Sequence, residues 1–260
     1  MEIIDSHCHI YPEKIANKAV GAIGDFYGIE MKCKGTSAEL LEILNKNNIT
    51  KAVIHSTATK PEQVPSINDF IINTVENSDK FIGFGTMHPD YDKLDEEFDK
   101  MLKNGLKGIK IHPDFQMRNI DDKSMDTIYE IVGDKMPVLF HIGDKRKDFS
   151  NPQRLKNVMK RFPKLKPIAA HLGGYSVWLE ALEILKDENV WVDTCSSFNF
   201  LDDSTIIKLI NTYGIEKVLF ATDYPMWDFN KEYERLMSLN LKNSDLEKIF
   251  SKNIKSLINI

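Results

Sequence analysis

The sequence predicts an α/β chain wound into a single (β/α)8 (TIM) barrel. Three observations predict it: eight short β-rich runs, amphipathic helical stretches between them, and a length of 260 residues with no Pro/Gly/Ser-rich linker. Strict strand-then-helix alternation calls for parallel strands, and a count of eight favours a closed barrel over an open doubly wound sheet. One domain covering residues 1–260 follows.

In order, the expected strands are "EIIDSHCHI", "KAVIHST", "KFIGFGTMH", "GLKGIKIHP", "MPVLFHIG", "KPIAAHLGG", "NVWVDTC" and "EKVLFATDYP". Between them lie helical stretches such as "SAELLEILNKNN", "DKLDEEFDKMLKNG", "SVWLEALEILKDE" and "STIIKLINTYG". Leu40, Leu41 and Leu44 follow Ser37 at helical spacing, which makes Ser37 the expected N-cap. "KNG" and "TYG" end their helices with a glycine near the C-cap. The insertion from Pro12 to Lys34 after the first strand is long for a βα loop, reads as helical, and is placed to cover a site at the barrel mouth. A last helix is expected from about Ser244 to Ile258.

Composition removes several function classes. Hydrophobic residues at 42% and charged residues at 28% describe a globular chain with enough apolar material for a core, not a disordered one. With 39 acidic against 34 basic residues, a net charge of -5 and no basic stripe, nucleic acid is not the expected partner. No apolar run reaches membrane-spanning length and the N-terminus lacks signal-peptide features, so a cytoplasmic protein without a membrane partner is expected. The three cysteines, Cys8, Cys33 and Cys195, are widely spaced without a CxxC, which points to reduced thiols. The expected partners are a small-molecule substrate and, at most, further copies of the chain.

The histidines carry the chemistry. Residues two apart on a strand share a face, so His7 and His9 present two imidazoles together while Cys8 turns away. His55, His88, His112, His141 and His171 fall at or near the ends of strands two to six, and Asp223 closes strand eight. In a parallel barrel these ends form one mouth, where active sites of this fold are built. Any single histidine there reads as a satisfied rim residue; all seven with Asp223 read as a metal site.

These residues resemble the amidohydrolase superfamily, in particular its amidohydrolase-related (amidohydrolase 2) branch of metal-dependent TIM-barrel hydrolases and decarboxylases. The resemblance rests on H-x-H at strand one, His141 on strand five, His171 followed by Gly173 and Gly174 on strand six, and Asp223 on strand eight, with "DSHCHI", "GIKIHP" and "HLGG" as further likenesses. It implies a divalent metal, most often Zn2+, one per chain, held by His7, His9, His141 and Asp223, and a catalytic water. It further implies Asp223 as acceptor of the water's proton and His171 as the acid that protonates a leaving group or polarises a carbonyl. Zinc chemistry agrees, since neutral imidazole and carboxylate are suitable ligands and an open position lowers the pKa of water to roughly 7.

Within "GIKIHP", Gly108, Lys110 and His112 share the inward face, so Lys110 needs a partner inside the barrel. Asp5, in phase with His7 and His9, is the expected ion pair. The other reading is a carboxylated Lys110 bridging two metals, as in some branches of the superfamily. His55, His88 and His112 are candidates for substrate contact, His55 and His88 equally for bracing of ligands. Arg118, Lys145 and Arg146 either hold a substrate anion or are solvated loop charges. Gly173 and Gly174 suit an anion at a helix start or close helix packing. Tyr224, Trp227 and Phe198 either line the pocket or pack the loops.

The expected activity is hydrolysis of a small carbonyl-containing substrate (amide, ester or lactone) by a zinc-activated water. The competing chemistry is metal-dependent non-oxidative decarboxylation of an unsaturated or aromatic carboxylate. A TatD-like nuclease is disfavoured by the absence of a glutamate at the end of strand four, and a barrel that binds a metal or ligand without turnover is disfavoured by the complete ligand series.

Overall fold

The computed structural model describes residues 1–260. Its strands are β1 (Ile4–His9), β2 (Lys51–His55), β3 (Phe81–Thr86), β4 (Gly108–Ile111), β5 (Pro137–Phe140), β6 (Lys166–Ala169), β7 (Trp191–Asp193) and β8 (Val218–Leu219). They lie side by side in sequence order, and consecutive strands pair parallel. Ser6 N donates to Phe220 O at 2.9 Å and His9 N to Tyr224 O at 2.7 Å, which brings the end of the sheet back to its start and closes the barrel. All eight expected strands are present, each inside the run that predicted it.

Side-chain alternation divides the apolar residues into two cores. Ile4, Val53, Phe84, Leu139, Ile168 and Leu219 fill the barrel, where Ile254, Leu257 and Ile258 of the last helix join them. Ile54, Ile109, Ile111 and Phe140 face outward against helix residues such as Leu40, Leu44, Ile71 and Phe98. Gly108 points inward as expected; a Cβ there would stand 2.5 Å from the Phe84 ring, so the missing side chain makes room for that phenylalanine. Lys110 follows on the same face and is fully buried.

Strand β1 departs from the simple alternation. Asp5 pairs with Ala52 and Cys8 with Ile54, so three steps on β1 oppose two on β2, the signature of a bulge. The extra residue reverses the phase. Asp5 therefore faces the helix layer beside Leu40, Leu44 and Thr222, while His7 and His9 face inward. The expected Lys110–Asp5 ion pair does not form. The Asp5 carboxylate instead accepts from Thr222 N at 3.0 Å, Thr222 Oγ1 at 2.6 Å and His7 N at 3.2 Å.

The insertion forms helix α1 (Glu13–Tyr27), followed by α2 (Ser37–Lys46) and α3 (Val64–Glu76). The N-cap of α2 is Thr36, one residue before the expected Ser37: Thr36 is extended (φ -100°, ψ 152°) and its hydroxyl accepts from Glu39 N. The C-terminal helical run spans Asn243–Ile258, close to expectation, with a π-helical turn at Lys248–Lys252. No helix is long and apolar enough to cross a membrane.

One buried carboxyl gives the fold a pH dependence. Glu232, on the helix Phe229–Ser238, is 1% exposed. Burial pushes its pKa from 4.5 up to about 8; the Asn199 amide, donating at 2.6 Å, and Arg235 oppose the shift, while Asp223 and Asp5 add to it. A folded pKa above the unfolded one means a contribution that is full below pH 4.5 and lost as pH rises through about 8. Glu232→Gln should therefore flatten the stability profile across that window, by on the order of 4 kcal/mol, in urea unfolding at a series of pH values. An unchanged slope would show that Glu232 is ionised without penalty.

Candidate active site

The strand ends bring the donor atoms together. His7 Nε2 and His9 Nε2 lie 3.1 Å apart, and Asp223 Oδ1 is 3.5 Å from each. Asp223 (φ 61°), His171 (φ 62°) and Ser196 (φ 54°) all adopt the left-handed backbone conformation that non-glycine residues rarely take, so surrounding structure holds three site residues in sparsely populated geometry. Ser196 Oγ donates to Asp223 Oδ2 at 2.5 Å, and Trp227 Nε1 donates to Ser196 Oγ at 2.8 Å. Trp227 thus braces the Asp223 side chain from behind.

This donor set fits a divalent cation. Ligand atoms around an ion bound at about 2.0–2.2 Å stand roughly 3.0–3.5 Å from one another, the spacing seen here. His7 Nδ1 lies 2.8 Å from Asp193 Oδ2, so the His7 N–H is taken by that carboxylate and the Nε2 lone pair turns toward His9 and Asp223. Burial, then the Lys110 charge, holds the pKa of both His7 and His9 well below the ordinary histidine value, which keeps both imidazoles neutral as ligands must be. Lone pairs and a carboxylate converging at this distance repel unless a cation or proton sits among them. The Asp223 carboxyl itself is pushed up to about 6 by burial, with the Ser196 hydroxyl and Lys110 pulling the other way.

A second chain of contacts crosses the cavity. His171 Nδ1 faces Cys195 O at 3.3 Å, and His171 Nε2 lies 2.8 Å from His141 Nδ1. With Nδ1 donating to the carbonyl, His171 Nε2 accepts from His141 Nδ1, leaving the His141 Nε2 lone pair for the cavity. The Tyr27 hydroxyl stands 3.5 Å from that nitrogen and 3.2 Å from His112 Nε2. His112 stacks between His141 (4.1 Å) and Phe115 (3.8 Å). Burial lowers the His171 pKa to about 4.

Lys110 Nζ lies 3.1 Å from His7 Nε2; burial lowers the Lys110 pKa below the ordinary lysine value, with the Asp223 charge opposing the shift. His55 is fully buried, packs edge-on against His7 (4.8 Å) and His9 (4.4 Å), and has no hydrogen-bond partner on either nitrogen. Each unpartnered buried nitrogen costs about 1–3 kcal/mol.

Of the histidines expected at the mouth, His7, His9, His112, His141 and His171 line one cavity with Asp223, and His55 sits just behind it. His88 does not line it; its Nδ1 accepts from Asp90 N at 3.3 Å. Arg118 pairs with Asp90 at 2.6 Å and Arg146 with Asp144 at 2.6 Å, so neither guanidinium lines the cavity. Gly173 and Gly174 serve close packing: a Cβ on Gly174 would stand 2.5 Å from Ala181 Cβ, and one on Gly173 2.3 Å from the Tyr213 hydroxyl. Tyr224 donates to Thr36 O at 2.9 Å within the outer core, which Phe198 shares.

Sequence reasoning missed three contributors. Asp193 orients His7 and also accepts from His171 N at 2.8 Å. Its signal was available in "WVDTC", where Asp193 and Cys195 share a face at a strand end. Tyr27 and Tyr175 reach the cavity from the insertion and from the loop after "HLGG". Asp114, just after strand four, lies 3.6 Å from His141 Nε2, and burial pushes it up to about 6.

Comparison with known proteins gives a family. No curated protein matches the sequence. Among solved structures, a TIM-barrel protein of unassigned function from Bordetella bronchiseptica superposes with TM-score 0.80 at 16% identity, covering 100% of this chain and 99% of that one. A dihydroxybenzoic acid decarboxylase from a Polaromonas species, solved with bound manganese and the inhibitor 2-nitroresorcinol, gives TM-score 0.77 at 17% identity over 99% and 97% of the two chains. A 5-carboxyvanillate decarboxylase from Sphingomonas paucimobilis gives 0.77 at 14% identity over 100% and 99%. At these identities the likeness establishes the barrel fold. The amidohydrolase family model matches residues 4–260, from the first strand to the last residue, and the chain is therefore an enzyme belonging to the amidohydrolase family.

Proposed function

We propose that the protein is a divalent-metal-dependent, non-oxidative decarboxylase of an aromatic or otherwise unsaturated carboxylate. The observation that carries this reading is the enclosed, aromatic-walled cavity over the donor cluster: Tyr27, Phe115 and Tyr175, with Ile23, Met31 and Met226, close around His7, His9 and Asp223. Loss of CO2 disperses the charge of a carboxylate into the rest of the substrate, so apolar walls that exclude water favour it. Decarboxylases among the similar structures, one holding manganese, support the same choice.

His7, His9 and Asp223 would hold the ion, which supplies a positive centre for the substrate carboxylate; His141, the fourth ligand the resemblance implies, instead has Nδ1 against His171 and Nε2 facing Tyr27 and Asp114. Zinc and manganese both suit this donor set. Asp193 keeps the His7 tautomer that exposes Nε2. His171 would deliver the proton to the carbon that loses CO2 after its Nε2, which accepts from His141 Nδ1 in the resting tautomer, has taken one up from solvent; the electrons of the breaking C–C bond remain on that carbon and are taken up by that proton. The Tyr27 hydroxyl, whose pKa burial raises well above its ordinary value, stays protonated and orients a substrate oxygen.

Metal-loaded enzyme should release CO2 from one or more hydroxybenzoates or unsaturated acids in D2O, placing one deuteron per turnover on the carbon that bore the carboxylate. Release of an alcohol, amine or ring-opened acid from ester, amide or lactone substrates, with no CO2 from any acid, would contradict the proposal. A second reading, hydrolysis at a two-metal site, draws on Lys110 beside His7 Nε2 and the unpartnered His55. It requires a carboxylated Lys110, two ions per chain and dependence on bicarbonate.

A further inference from the structure

The cavity over the donor cluster is small. Its volume is about 30 Å³, room for about two waters. A carboxylate head fits there, and the body of a substrate must go elsewhere. Directly beside it lies a cleft of about 630 Å³ between α1 and α3, and the two spaces share His9, Ile23 and Phe115 as common walls. Apolar side chains of two helices face each other across the cleft, Ile15, Ala19 and Ile23 from α1 and Ile67 and Phe70 from α3, while Lys14, Thr59, Gln63 and Ser66 add polar lining. Ile15 is left 46% exposed at its open side. Along the β2 edge, the Thr57 hydroxyl is buried with no hydrogen-bond partner.

We propose that this cleft binds an extended apolar tail of the substrate, alkyl or aryl, attached to the carboxylate head that sits at His7, His9 and Asp223. The proposal rests on the reading of a metal-bound head, and it makes the substrate longer than a simple dihydroxybenzoate. The shared lining of His9, Ile23 and Phe115 selects a tail over an independent ligand, because a tail that leaves the donor cluster past these side chains enters the cleft. Thr57 would meet a polar atom on the tail near the head, where that hydroxyl now lacks a partner.

The test uses n-alkyl hydroxamic acids, whose head chelates divalent metals whatever reaction the enzyme performs. Calorimetric binding to the manganese-loaded full chain should tighten about threefold per added methylene, reaching at least about a hundredfold from acetohydroxamate to octanohydroxamate. Filling the cleft from either wall, by Ala19→Phe or by Ser66→Phe, should erase that gain while acetohydroxamate affinity stays within about twofold. Equal affinity for all chain lengths in the wild type, or the full gain retained in both filled variants, would overturn the tail site. Failure of every hydroxamate to bind would overturn it together with the metal-bound head. A full chain-length gain in an enzyme that releases no CO2 would uphold the tail site while removing the decarboxylase reading.

Discussion

His7→Ala combined with His9→Ala should yield a folded protein that retains almost no divalent metal and no measurable turnover. The two Nε2 atoms supply two of the three donors that meet within 3.5 Å, and Asp223 alone cannot hold an ion against water. Folding should survive because the pair lies at the mouth, above the apolar layers of Ile4, Val53, Leu139 and Leu219 that fill the barrel. Removing the two imidazoles relieves the crowding of lone pairs in the metal-free protein but leaves the buried Asp193 Oδ2 without its His7 partner, so the apo double variant should melt below apo wild type yet still unfold cooperatively. Elemental analysis after gel filtration checks the metal, and thermal melts check the fold. Metal content equal to wild type would place the ion elsewhere.

His171→Asn should leave the metal and hydroxamate binding in place and lower turnover by roughly two to four orders of magnitude, the usual size of a lost acid–base contribution. Asparagine is the substitution to use because His171 sits at φ 62°, a conformation that asparagine tolerates better than most residues, and because the backbone N–H that reaches Asp193 is retained. The His171 side chain touches Cys195 and His141, not the three donors that meet most closely. Loss of metal together with activity would make His171 a ligand. Turnover unchanged would remove it from the mechanism and leave Tyr27 as the proton donor to test next.

How much of this could be read from the chain follows from what is local in it. The H-x-H pair and the inward face of Gly108, Lys110 and His112 depend only on a period of two within short runs, and the barrel reproduces them; His171 and Asp223 lie two and four residues beyond their strands at positive φ and reach the cavity from the turns that follow. The Lys110–Asp5 pair failed because a bulge at the start of β1 adds one residue, and period counting has no way to detect an inserted step. His88 failed for a different reason: in the turn after β3 its ring accepts from Asp90 N and does not line the cavity, and strand spacing does not read the direction of that turn. Tyr27 was hidden because α1 is amphipathic in an ordinary way, and nothing in its spacing says that its last residue lies over the mouth. Arg118 and Arg146 show that a charge near a strand end is more often claimed by a neighbouring carboxylate than by a cavity.

The claim on which the rest depends is that a single divalent ion sits among His7, His9 and Asp223. Anomalous diffraction from crystals grown with manganese tests it directly. The expected result is one strong peak within about 2.2 Å of His7 Nε2, His9 Nε2 and Asp223 Oδ1, with His55 outside the coordination sphere. A peak held by His55 and Lys110, or no peak at the mouth of the barrel, would contradict the account.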